Sequence, residues 1–220
     1  MKYKKPAHLS DPMRDFSQEE LAGILSKQDT ELDWHDFDCL FQGKLPAGTY
    51  EEVRYYIPIA CSYIENQADA CDFFEHFSIW IEDNSERLKE DDLLAPVVSA
   101  FRNLFRKATS SFLLEENGDH CLYPSGCNSV ESLLEALFRL SPAVPEFSPD
   151  ALFAELKENL SFVHAEWIVY ISTEMDLLSP EWICSVISAS DYQKALDMLN
   201  ENIDVIMDDE KLYAFWGKRI

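Results

Sequence analysis

Glycine is scarce in this chain, cations are outnumbered, and no apolar run is long. Six glycines among 220 residues leave little material for phosphate-cradling loops, and neither G-x-G-x-x-G nor G-x-x-x-x-G-K-[ST] occurs. The same scarcity, with no regular alternation of apolar and polar residues, argues against an all-β architecture. There is no G-x-S-x-G elbow and no cysteine placed with a histidine in a recognisable catalytic pattern. Lysine and arginine number 18 against 41 aspartates and glutamates, a net charge of −23. Such a surface repels phosphate backbones and anionic lipid, which argues against direct binding of nucleic acid or membrane. Apolar runs such as Trp167 to Ile171 are short and bounded by charge, too short for a bilayer. The lysines of MKYKKPAHLSDP have no apolar stretch behind them, so this start does not read as a secretory signal. The chain is expected to be soluble and cytoplasmic.

Apolar and aromatic residues are plentiful, with 14 Phe, 9 Tyr and 5 Trp in a chain that is 47% hydrophobic. That excludes general disorder. The stretch around which the rest is organised is LPAGTYEEVRYYIPIACSYIE, Leu45 to Glu65. Thr49 is a good N-cap, and Glu52 three residues on completes a capping-box pattern. Val53, Tyr56, Ile57, Ala60 and Ile64 then recur at helical spacing. Pro58 removes a backbone donor in mid-pattern and predicts a kink or a restart there.

Other segments carry the same period. Ser17 with Glu20 opens a short helix, and Leu32, Phe37, Leu40 and Phe41 pack from another. Phe73, Phe74, Phe77, Trp80 and Ile81 form an aromatic stripe that reads as core. Leu94 to Phe112 predicts one long helix. Ser129, Ser148-Pro149 and Ser179-Pro180 mark further starts, and Ser190 or Asp191 opens the last long helix. Phe162 to Ser172 is read as helix because no partner strand is evident. The expected fold is all-α, a compact bundle of about ten helices, with irregular stacking of helical hairpins as the alternative. One domain over 1–220 is expected, with residues 1–12 as a mobile lead and a subdomain break in the loop 115–129. The cysteines Cys39, Cys61, Cys71, Cys121, Cys127 and Cys184 are scattered. Their usage, with Cys61, Cys71 and Cys184 in apolar helical patterns, fits small hydrophobes in a reducing compartment.

Two constellations have metal-ligand chemistry. His8, the His35-Asp36 pair and its acidic neighbours are similar to the ligand set of HD-type metal phosphohydrolases. That resemblance implies a divalent ion activating water for phosphate-ester hydrolysis. Asp119, His120, Cys121 and Cys127 offer ligand types that zinc accepts, but without a C-x2-C knuckle. Ordinary loop residues are the better reading, and neither a cofactor nor a bound metal is expected. His76 and His164 read as core or core-edge histidines. Arg102, Arg106 and Lys107, the interior basic cluster, are expected to pair with the chain's own carboxylates.

What remains is acidic surface, and it is clustered. Asp33, Trp34, Asp36, Phe37 and Asp38 form one candidate partner-binding group, joined by Asp29 and Glu31. Glu82, Asp83, Glu86, Glu90, Asp91 and Asp92 form a second. Glu115, Glu116 and Asp119, and Asp208 to Glu210, are further clusters. Carboxylates this dense repel one another, and a basic partner relieves that repulsion. With Trp34 and Phe37 as anchors, such a surface suits a protein partner. In this motif-poor, acidic, helical character, and at LPAGTYEEVRYYIPIA, the chain resembles bacterial toxin-immunity proteins. The resemblance implies a non-enzymatic protein that binds a basic toxin domain, a nuclease or nucleotide-using enzyme, and occludes its active site. It transfers no residue assignments. The alternatives are a helical adaptor or scaffold read through an apolar groove, and the HD-type phosphohydrolase built on His35 and Asp36.

Overall fold

Several helices begin where a carboxylate or hydroxyl reaches back to amides that have no partner in the first turn. The computed structural model describes residues 3–11, 16–42, 46–66, 71–110, 113–116, 119–122, 129–173 and 180–201. The chain runs through α1 (Gln18–Ser26), α2 (Trp34–Phe41), α3 (Tyr50–Val53), α4 (Ile57–Asn66), α5 (Cys71–Glu90) and α6 (Leu94–Thr109). A hairpin, β1 (Leu113–Glu116) and β2 (Asp119–Leu122), leads to α7 (Ser129–Leu140), α8 (Asp150–Glu158), α9 (Phe162–Thr173), α10 (Pro180–Val186) and α11 (Ala189–Glu201). Single 3-10 turns lie at Asp29–Glu31 and Pro145–Phe147.

The fold is the all-α, multi-helix arrangement expected. The hairpin is the departure from it: where the sequence predicts a loop from Glu115, β1 and β2 pair antiparallel with Glu116 opposite Asp119. Asn117-Gly118, the turn signal in that loop, separates them in the sequence. Cys127 lies outside the described residues, as do Phe112, Ser179 and everything after Glu201. α6 stops at Thr109, short of the expected Phe112.

Capping explains the starts. At α1, Ser17 Oγ accepts from Glu20 N at 3.1 Å and Glu20 Oε2 accepts from Ser17 N at 2.7 Å. At α2 two aspartates do the same: Asp33 Oδ1 accepts from His35 N and Asp36 N, and Asp36 Oδ2 accepts from Asp33 N. Ser188 and Asp191 exchange equivalent bonds ahead of α11, two residues before the expected start. Pro58 is where the pattern restarts. α3 ends at Val53, and Pro58 is the second residue of α4, a position whose amide needs no partner.

The core is built on the aromatic stripe of α5. α5 packs against α2 and α7, and α4 and α7 both pack on α6. Phe73 and Phe77 stack at 4.9 Å, and Phe41 meets Phe77 at 4.8 Å and Trp80 edge-on at 5.0 Å. Pairs of this kind add roughly 0.5–1.5 kcal/mol each beyond simple burial. α9, the segment with strand-like composition, is helical. Its Val163, Ala165, Trp167, Ile168 and Ile171 are buried, and α11, α6 and α8 pack on it. Buried side chains from Leu9 to Ala195 join one hydrophobic cluster.

Residues 3–11, within the lead, lie along the core as a strap. Leu9 is 4% exposed. Ser10 donates to Glu52 Oε2 from both N and Oγ (3.1 and 2.6 Å), and Gly48 N donates to Ser10 O at 2.6 Å. Tyr3 Oη donates to the carbonyl of Asp91 at 3.2 Å, and Lys5 Nζ to that of Lys27. Glu52 also takes the Thr49 amide at 2.8 Å and meets His8 Nδ1 at 3.0 Å. Gly48 has φ +95°, and a Cβ there would stand 2.9 Å from Val53 Cγ1 and 3.2 Å from Leu9 Cδ2. Only glycine suits both the backbone and the space.

Candidate functional site

The residues expected to meet a partner from α2 divide into exposed and committed. Trp34 stands out at 49% exposure, its ring edge-on to His35 at 5.5 Å. Phe37 does not reach the surface. It is fully buried, 5.0 Å from the Tyr63 ring and 5.9 Å from Phe73, because its place on α2 faces α5. Asp36 is likewise inside, 5% exposed, where it caps α2 and takes Lys27 Nζ at 2.5 Å. That bond, with a second to Asp33, raises the Lys27 ammonium above its ordinary range. Burial pushes the Asp33 carboxyl up, but the amides of Asp36 and His35 and the Lys27 charge outweigh it and hold it low. Asp38 Oδ1 is 2.5 Å from His76 Nδ1 on α5. Asp36 and Phe37 are therefore structural, and Asp38 is drawn into the α2–α5 contact.

The metal-binding alternative finds no assembly. His8 belongs to the strap and faces Glu52, His35 is exposed, and Asp36 is spent on Lys27 and a backbone amide. Among the described residues no three of His, Cys, Asp and Glu converge as a metal site. In the hairpin, His120 is in register with Glu115 and Cys121 with Leu114. Of the thiols, burial pushes Cys39 up to about 11 and Cys61 to about 12, so both act as small hydrophobes rather than nucleophiles. Cys184, expected in an apolar face, is exposed. The basic cluster pairs internally as expected for Arg106, whose guanidinium takes both oxygens of Glu155 at 2.7 Å. Arg102 and Lys107 instead donate to the backbone carbonyls of Glu146 and Glu65.

The second acidic group lies along α5. Glu82, Glu86 and Glu90 recur every four residues, with Asp83 beside them, and all four are exposed. Like charges at this spacing destabilise an isolated helix. Lys89 Nζ meets Glu86 at 2.9 Å, while Glu82, Asp83 and Glu90 make no ion pair among the described residues. Arg87, four residues after Asp83, is turned the other way. It bonds Glu51 and lies 4.4 Å over the Tyr50 ring, and its carbonyl takes the Tyr50 hydroxyl at 2.9 Å. With Lys89 on Glu86 and Arg87 turned away, the ridge keeps a net negative charge.

At the ridge's end Asp91 and Asp92 differ. Asp91 is half-buried and internally held. Burial pushes its carboxyl up, but Arg54 at 3.1 Å and the hydroxyls of Tyr50 and Tyr3 hold it below the usual range. It is not available as the free partner contact expected of it. Asp92 is exposed and has φ 58°, and it closes α5 in a Schellman arrangement. Leu93 N donates to Leu88 O at 2.8 Å and Asp92 N to Lys89 O at 3.1 Å, a position where glycine is usual. The surface candidates are Glu82, Asp83, Glu86, Glu90 and Asp92, with Trp34 and Asp33 at the head of α2.

No described helix is long and apolar enough to cross a membrane. Comparison of the chain with family models, with curated proteins and with solved structures gives no match.

Proposed function

We propose that this chain acts by binding a basic protein partner through the anionic ridge of α5, rather than by catalysing a reaction. The observation that carries the reading is the arrangement of Glu82, Asp83, Glu86 and Glu90 on the exposed face of α5, where Lys89 meets Glu86 and Arg87 is directed away from them. Keeping such charges adjacent works against the helix unless an external cation offsets the repulsion. Asp92 adds a carboxylate where a glycine would hold the left-handed turn with less strain. The partner class that suits an acidic, helical, motif-poor chain is the basic toxin domain, as for the immunity proteins it resembles. Its active site would be occluded by carboxylates standing where substrate phosphates bind.

The test is retention of a partner from the native host at low salt, with wild type and with Glu82→Gln, Glu86→Gln and Glu90→Gln combined. A stoichiometric basic protein, released as salt screens the contact and lost from the triple variant, is the expected result. Failure to retain a basic protein, or retention indifferent to neutralising the ridge, overturns the reading. So does a divalent metal in the purified protein that disappears in His35→Ala.

A further inference from the structure

Helix α4 carries two stripes, one buried in the core and one packed along its edge. Ile57, Ala60, Cys61 and Ile64 are buried. Ile59, Ser62, Tyr63 and Asn66, at i, i+3, i+4 and i+7, form a second stripe that an ordinary surface helix would make polar. Here it includes an isoleucine and a tyrosine, both half-buried, and it forms one wall of an open groove of about 480 Å³. The opposite wall comes from the 3-10 turn at Asp29, with Phe37 behind. Tyr55 Oη donates to both Asp29 oxygens at 2.9 and 2.8 Å, which fixes the carboxylate at the rim.

We infer that this groove is a docking site for a cationic segment of a protein partner, one that inserts apolar anchor side chains flanked by lysine or arginine. The inference deepens the proposed function and rests on its basic partner. Charge decides the occupant. Among the described residues no cation lines the groove, Asp29 stands on its rim, and the exposed Glu31 follows it in the chain. A second copy of the chain would bring its own −23 to the contact and be repelled. Small ligands favour sites that bury most of their surface, whereas an open groove suits an extended or helical peptide.

The test uses the full chain and three labelled peptides: KKLFKKLFKK, KKSSKKSSKK with the same charge but no anchors, and EELFEELFEE with the anchors but the opposite charge. Ser62→Trp fills the groove from an exposed position, and Asn66→Arg places a cation on its rim; each is first checked for an unchanged unfolding midpoint. Wild type should bind the first peptide at least tenfold more tightly than either of the others, and each variant should weaken it tenfold or more. Equal binding of the first two peptides, with both variants unaffected, overturns the groove. If the ridge variant then weakens both, the basic-partner reading survives without it. Binding of EELFEELFEE as tight as the first overturns the cationic assignment. If no peptide binds while wild type still retains a basic host protein, the groove is again overturned and the ridge alone stands.

Discussion

Single residues fix where the strap and the helix ends lie, and their effects are separable. Gly48 combines φ +95° with contact to Val53 and Leu9, so Gly48→Ala should cost about 1–3 kcal/mol. Denaturant unfolding measures it, and limited proteolysis should show residues 3–11 exposed earlier than in wild type. Asp92→Gly should do the reverse. Relieving a left-handed aspartate should stabilise the fold by up to about 1 kcal/mol, while partner affinity falls with the lost carboxylate. A gain in both would mean that Asp92 contributes nothing to binding. Glu52 supplies the pH dependence. Burial pushes its carboxyl up, yet bonds from Ser10, the Thr49 amide and His8 outweigh that and hold it below its ordinary value of 4.5. A carboxylate depressed in the folded state adds stability above that ordinary value and loses it as pH falls through the folded one. Protection of the Gly48 amide from hydrogen exchange should therefore fall in acid below about pH 4.5. Glu52→Gln should lower that protection at neutral pH and flatten its response to acid.

At the scale of elements, the helices were legible wherever a period and a cap coincided. Ser17 with Glu20, and the restart at Pro58, follow from the sequence because the physics is local. The Asp33–Asp36 cap was not read because the usual signature has glutamate or glutamine at the third position. A shorter aspartate closes the same reciprocal pair. By pattern alone Asp36 resembles a surface acid, whereas it is a buried cap neutralised by Lys27. The hairpin was read as loop because four-residue strands give too few alternations to register. The strap was missed for another reason: its anchors, Leu9 and Ser10, pair with residues some forty positions away, as in the Ser10–Glu52 bonds, and no local pattern announces such a partner. The α5 ridge was legible as charge. That Arg87 turns from it to Glu51 and Tyr50 needed coordinates.

For the whole molecule the governing quantity is the net charge of −23. Self-repulsion opposes the compact state, so raising salt from low ionic strength toward about 0.5 M should stabilise the isolated chain by screening it. The same addition should weaken a complex held by ridge carboxylates. The two responses have opposite signs, and thermal melting with and without the partner across a salt series checks both. If the complex strengthens with salt, apolar contact governs it instead of charge. The all-α class was readable from scarce glycine and recurrent helical spacing; the segment Phe162–Thr173 was settled by its packing between other helices.

Tyr3 bonds the carbonyl of Asp91, 88 residues further along the chain, and this sets an order of assembly. During synthesis the strap leaves the ribosome well before α5, and its landing place is made only once α5 is complete. Closing so long a loop is slow compared with forming the local helices. A segment made earlier than its partner is thus among the last to settle, and until then Leu9 and the ground beneath it are open to solvent.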